Sequence, residues 1–333
     1  MALQETTTQA GAEPLPVTAE AIERAAAELH VHLSPTPLQY SRAFTAKAGC
    51  HVYLKIEGIQ PTRAFKVRGA LNKLMRLRPE ERAAGVITAS AGNHGLGVAY
   101  AAQAFRIPAT VYVPDGANPL KVQAIKRMGA RVVQFGPGYD DAYREALRVQ
   151  ETNGSIFVHA FDDPAVVTGQ GSVGVELLEQ LPAADTVVVP VGGGGLIAGV
   201  AQYLKARRPS VRVIGVEPAG ADALTRSLAA GELVTLDRVD TMADGLAAKT
   251  PGRIALSIAA ACVDVMITVE ETEMLRAIRL YFEWEHLLAE PAGAAALAAL
   301  LYHYAPEASE RVVVLLSGAN IADEVMLRAL KSR

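Results

Sequence analysis

From residue 84 onward, short β-branched runs alternate with longer amphipathic stretches, and this alternation constrains the chain more than any other feature. It is the pattern of βα units wound around a parallel sheet, so the fold class is α/β. Four units follow one another: 85–90 then 94–105, 110–114 then 119–129, 131–136 then 139–152, and a final strand within 155–161. A second series of strand-like runs opens at 51–57 and resumes at 186–191, 211–218, 265–270 and 311–317. The expected architecture is therefore two open, twisted, mostly parallel sheets covered by helices. A small domain over 77–160 is inserted in a larger one formed by 17–76 and 161–333. Runs such as 187–190 and 312–316 show no polar alternation, which suits strands covered on both faces. Helices are expected at 195–206, 271–288 and, in an Ala-rich run after Pro291, at 292–303. Residues 1–16 are expected to fray.

Composition narrows the partners. With 32 Lys+Arg against 35 Asp+Glu, the net charge of −3 leaves no basic excess to neutralise a nucleic-acid backbone. The apolar runs at 186–201 and 292–302 are broken by Gly or Pro and fall short of the ~20 residues that span a bilayer. The N-terminus carries no basic segment followed by an apolar block. Two cysteines, Cys50 and Cys262, make neither a disulfide framework nor a Cys-based metal cluster, which suits a reducing compartment; the cytoplasm is expected. The seven histidines show no His-Glu-x-x-His spacing, so no catalytic zinc is expected.

In open α/β sheets ligands bind beyond the carboxyl ends of strands, so the loops that follow strands are where chemistry should be sought. Gly192, Gly193, Gly194 and Gly195 lie between a strand and a helix. Four residues without side chains let backbone N–H groups converge on an anion at a helix N-terminus, so this loop reads as a phosphate cradle. A dinucleotide fingerprint would need Gly where Ile197 stands, and the Gly-Lys-Ser/Thr of a nucleotide triphosphate loop is absent. Lys66 follows a Thr/Pro-opened loop, beside Phe65 and two residues before Arg68. Such a setting can desolvate an amine and prepare it for Schiff-base chemistry, although most lysines are solvated surface charges. At 88–97, Ser90, Asn93 and the amides of Ala91 and Gly92 could receive a carboxylate, or simply form an N-capped turn. Ser317 ends the last strand; its hydroxyl could address a ring nitrogen or cap the next helix.

Taken in this order, these motifs resemble the fold-type II pyridoxal-phosphate enzymes, in particular the threonine/serine dehydratase and serine racemase branch. The likeness runs from Thr36-Pro37-Leu38 to Ser317-Gly318-Ala319-Asn320 and includes the stretches 241–246 and 289–300. The resemblance implies that Lys66 carries pyridoxal 5'-phosphate through a Schiff base and acts as the catalytic residue. It implies that Gly192, Gly193, Gly194, Gly195 and Leu196 hold the phosphate, that Phe65 lies beside the cofactor, that Asn93 meets the phenolic oxygen and that Ser317 meets the pyridine nitrogen. Ser90, Ala91, Gly92, Asn93 and His94 become the loop that grips the substrate carboxylate. The implied activity is that of a lyase turning a β-hydroxy amino acid such as L-threonine or L-serine into a 2-oxo acid and ammonia. The implied partners are this small substrate and further copies of the chain in a dimer or tetramer, with no nucleic acid or membrane.

Three departures qualify that implication. Racemases of this branch place a second Ser where Ala91 stands, which argues against racemase activity. The loop before the lysine usually reads Thr-Gly-Ser-Phe-Lys, whereas here Arg63 replaces the Gly and Ala64 the Ser. Arg63 could pair with a second carboxylate, as a 3-hydroxyaspartate-type substrate would need, or point to solvent. Some relatives hold a divalent cation through a Glu and an Asp six residues later; Glu217 matches, but Ala223 occupies the second position and Asp222 is one residue early, so no metal is expected. A β-replacement enzyme remains the alternative within the family; the Asn93-His94 pair and the Ala-rich segment favour the dehydratase side. With 333 residues there is no room for the C-terminal regulatory domain of feedback-inhibited dehydratases, so inhibition by isoleucine is not expected.

Overall fold

A computed structural model describes residues 17–332; the N-terminal segment expected to fray lies outside the described residues. Among the described residues there are ten strands: β1 (Leu38–Tyr40), β2 (His51–Ile56), β3 (Val86–Ala89), β4 (Ala109–Val113), β5 (Arg131–Gln134), β6 (Ile156–Phe157), β7 (Thr186–Pro190), β8 (Arg212–Pro218), β9 (Val265–Val269) and β10 (Arg311–Leu316). They form a six-stranded sheet in the order β1-β2-β10-β7-β8-β9 and a four-stranded sheet in the order β5-β4-β3-β6. All pairings are parallel except that of β1 with β2. The four strands of the smaller sheet fall, in sequence, between β2 and β7.

The larger sheet explains why its strands show no polar alternation. Along β7 and β10, Val187, Val189, Val313 and Leu315 enter one apolar core, while Val188, Val312, Val314 and Leu316 enter another on the opposite face. Both faces are buried, so after the opening Thr186 and Arg311 every position is apolar. The helix Pro291–Tyr302 lies in the second of these cores and is buried from Pro291 through Leu300; its alanines let backbone and sheet approach closely. The helix expected to run to 288 is Glu271–Glu285, because His286 adopts a left-handed conformation (φ 55) that ends it.

The helix Lys66–Met75 shares its core with the smaller sheet, sending Val67, Ala70, Leu71 and Leu74 against Val86, Val98 and Val111. Its other face carries Arg68, which is fully buried. The Arg68 guanidinium donates to Glu57 (Nε to Oε2, 2.7 Å) and to Glu176 (Nη1 to Oε1, 2.6 Å), and the Lys55 ammonium donates to Glu176 at 2.6 Å. Burial disfavours charge on Glu176, yet Arg68 and Lys55 hold its carboxyl down at about 2. Two cations and two carboxylates thus tie β2, the lysine-bearing helix and the helix Pro164–Gln180 together with no net charge left over. Removing one partner of such a group strands a buried charge, at a cost of about 3–5 kcal/mol. Arg68→Met should therefore lower the unfolding free energy by about that amount in a denaturant titration; a loss below about 1 kcal/mol would show that the network carries little of the stability.

Candidate active site

The glycine loop leaves the carboxyl end of β7 and enters the helix Gly195–Arg207. Gly194 adopts φ 86, a conformation that favours glycine, and a Cβ at Gly193 would lie 2.3 Å from the Phe161 ring. Cβ atoms at Gly192 and Gly194 would press on Leu246 and Ala255, at 2.8 and 2.4 Å. The absence of side chains lets the loop lie flat against Phe161, Leu246 and Ala255. Among the described residues, nothing accepts a hydrogen bond from the amides of residues 192–197. Six consecutive free donors at a helix N-terminus suit an anion with several acceptor oxygens.

Lys66 opens its helix, and its Nζ donates to the carbonyl oxygen of Ala160 at 2.8 Å, 5.2 Å from the centroid of the Phe65 ring. The residue is half-buried, but protein encloses its amine closely enough that burial pulls the pKa down to about 8. The next residue after Ala160 is Phe161, the one seated against Gly193 and Gly195. Two adjacent residues therefore join the lysine amine to the glycine loop.

The 90–94 segment follows β3 and starts the helix Asn93–Phe105. Ser90 Oγ accepts from the Gly92 amide at 3.2 Å, so the hydroxyl shapes the turn without capping the helix. The amides of Ala91, Asn93 and His94 have no acceptor among the described residues and make a second anion-receiving turn. The His94 ring is turned into the protein, 2.9 Å from the Val158 carbonyl oxygen, and burial followed by the Lys66 charge depresses its pKa to about 3. It is neutral, with Nε2 donating to Val158 and a buried, unpartnered Nδ1.

Ser317 is buried, and its Oγ lies 3.4 Å from the Ala292 carbonyl oxygen, at the weak limit of a hydrogen bond. It does not cap the next helix, which starts at Asp323 after Ala322. Its carbonyl accepts from the Phe65 amide at 3.1 Å, and Ala64 bridges Gly318, so the lysine loop and the Ser317 loop are stitched together. Arg63 is exposed and holds φ 59, the backbone conformation that favours the usual glycine of this loop. Glu217 is fully buried, and its two carboxylate oxygens accept from the Leu224 and Thr225 amides and the Thr225 hydroxyl.

The matching family model is described as pyridoxal-phosphate dependent enzyme and covers residues 29–318. The chain belongs to the pyridoxal-phosphate-dependent enzyme family. The chain is 43% identical over 305 residues to an L-threonine ammonia-lyase of Thermotoga maritima, covering 92% of this chain and 76% of that protein. It is 46% identical over 255 residues to an L-threonine ammonia-lyase of Geobacter sulfurreducens; the match covers 77% of this chain and 63% of that longer protein. Among solved structures, maize serine racemase superposes with a TM-score of 0.90 at 34% identity, covering 95% of this chain and 97% of that one.

The residues present fit the cofactor of this family. A phosphate matches the free amides of the glycine loop, and the lysine that such enzymes need is there with a lowered pKa two residues' reach away. The structure brings together all four segments read from the sequence: Lys66 with Phe65, the glycine loop with Leu196, the 90–94 turn and Ser317. Sequence reasoning gave no role to Ala160 and Phe161, nor to Glu290 and Asn320, which sit around Asn93. The hydrogen bonds are 2.6 Å from Asn93 Nδ2 to Glu290 Oε1 and 2.7 Å from Asn320 Nδ2 to Asn93 Oδ1. Gly193→Ala is expected to weaken pyridoxal phosphate binding more than about tenfold, and Phe161→Ala in the same chain to recover much of it by making room for the methyl group. Titration of the apoprotein checks this; unchanged affinity in Gly193→Ala would show that the loop does not need its flat fit.

Proposed function

We propose that this chain is a β-hydroxy amino acid ammonia-lyase, with L-threonine and L-serine as its leading substrates. The observation that carries this reading is the pair Ala160–Phe161, which places the Lys66 amine and the phosphate-receptive glycine loop on adjacent residues. The names of the threonine ammonia-lyases at 43–46% identity support the substrate class.

Bound pyridoxal phosphate supplies an electron-accepting ring conjugated to the substrate nitrogen. Lys66 would hold it covalently, the amides from Gly192 to Leu196 would receive its phosphate, and Asn93, Ser317 and Phe65 would serve its phenolic oxygen, ring nitrogen and ring. The turn 90–94 receives the substrate carboxylate through its free amides, which orients Cα toward Lys66. The Lys66 amine, whose pKa burial lowers to about 8, is the group that would take the Cα proton. The Cα proton and the Cβ hydroxyl are lost together as one water, and one water is used when the released enamine hydrolyses, so the net products are a 2-oxo acid and ammonia. Ser317 would be a neutral hydrogen-bond partner for the ring nitrogen, a setting that suits elimination better than transamination. Ala91 offers no hydroxyl for proton delivery on the opposite face, which weighs against racemisation.

Residues 77–160 form a small substrate-loop domain inserted in a larger cofactor-binding one formed by 17–76 and 161–333; the helix Lys66–Met75 packs into the small domain's core from outside that boundary. The working unit is a homodimer or homotetramer in the cytoplasm. Among the described residues no helix is long and apolar enough to cross a membrane.

A panel of L-threonine, L-serine and 3-hydroxyaspartate, assayed for 2-oxo acid and ammonia without an added nucleophile, tests the reading. L-threonine or L-serine should turn over, and Lys66→Ala should abolish turnover together with the visible band of the bound cofactor. Release of ammonia only when a nucleophile is supplied would point to β-replacement instead. Preference for 3-hydroxyaspartate that is lost in Arg63→Gly would assign Arg63 to a second carboxylate; an unchanged preference order removes it from specificity.

A further inference from the structure

The side-chain amide of Asn93 is gripped from both ends, and we propose that Glu290 is a positioning residue that fixes which edge of this amide is presented to the cofactor. The inference rests on the proposed place of Asn93 beside the phenolic oxygen.

The polarity of the group follows from chemistry. The carbonyl oxygen of Thr62 can only accept, so Asn320 Nδ2 donates to it (2.9 Å) and turns its other N–H to Asn93 Oδ1 at 2.7 Å. Asn93 Oδ1 is thereby occupied, and Nδ2 becomes the edge that meets Glu290 Oε1 at 2.6 Å. One Nδ2 hydrogen remains to be offered, and it can serve only an acceptor such as a phenolic oxygen.

Glu290 reaches both partners of this group, since its carboxyl also accepts from the Asn320 backbone amide. It is 3% exposed and stands at the start of the helix Pro291–Tyr302, where its side chain makes no capping bond. No cation forms an ion pair with it among the described residues; Lys121, whose charge reaches it, is itself bound to Asp244 at 2.6 Å. A Cβ on Gly318 would lie 2.1 Å from Glu290 Oε1, so the loop after Ser317 carries glycine where the carboxyl passes. A buried carboxyl without a cation is costly to keep. What it gains here is a hold on Asn93 and on the Asn320 backbone beside it.

Three substitutions separate acceptor, charge and bulk. Glu290→Gln keeps an acceptor without charge, Glu290→Met keeps the volume without an acceptor, and Glu290→Ser keeps a helix-capping hydroxyl too short to reach Asn93. Two readouts need no substrate: the position of the visible band of bound pyridoxal phosphate, and the dissociation constant of that cofactor from the apoprotein. Glu290→Met and Glu290→Ser should shift the band and weaken binding about tenfold, Glu290→Gln should restore both, and Asn93→Ala should reproduce the shift. Adding Glu290→Met to Asn93→Ala should change nothing more, as expected for one residue acting through the other. Should Glu290→Ser fail to fold, as judged by circular dichroism, the Gln and Met pair decides. A wild-type band and affinity in Glu290→Met, or effects that add to those of Asn93→Ala, would overturn the proposal. A wild-type protein that takes up no pyridoxal phosphate would instead overturn the assignment on which it rests.

Discussion

The Lys66 amine is held by one hydrogen bond, to the carbonyl oxygen of Ala160, in surroundings that disfavour its charge. A solvated ammonium would be protonated at neutral pH and unable to form a carbon–nitrogen bond. Burial lowers the pKa to about 8, so a useful fraction of the amine is neutral under ordinary conditions. The same Ala160 leads into Phe161, whose ring the glycine loop lies against. Loss of this enclosure would separate the amine from its anion-receptive partner and raise its pKa at once.

That enclosure has to be rigid, and the fold supplies rigidity from two sides. Parallel pairing sets Ile56 of β2 opposite Leu316 of β10, so the lysine loop and Ser317 leave the sheet side by side and are joined by the bonds between residues 63–65 and 317–319. Beneath them Arg68, two residues beyond Lys66, is locked between Glu57 and Glu176. These ion pairs tie the helix to β2 and to the helix Pro164–Gln180 at fixed points along each.

Much of the architecture was legible because parallel strands covered on both faces leave unbroken apolar runs, as at 186–191 and 311–317. The glycine loop was legible because four glycines in a row have few other uses. The helix Pro164–Gln180 escaped because it is buried through most of its length, so no polar face marks its period, and Gly169, Gly171 and Gly174 resemble a loop. The Thr/Pro-opened loop and Phe65 only raised Lys66 as a candidate, and family likeness singled it out, since local sequence does not separate a buried lysine from a solvated one before the chain is folded. Glu290 was missed for a related reason: an acidic residue before Pro291 looks like an ordinary helix start, and its pairing with Asn93 spans 197 positions.

The covalent attachment point is the most direct measurement. The protein, incubated with pyridoxal phosphate over a range of pH, reduced with borohydride and digested, should yield one pyridoxyl-modified peptide, with the group on Lys66, and the rate of uptake should rise as pH passes through about 8 and the amine loses its proton. Modification spread over surface lysines, or fixed on a lysine other than Lys66, would contradict the account.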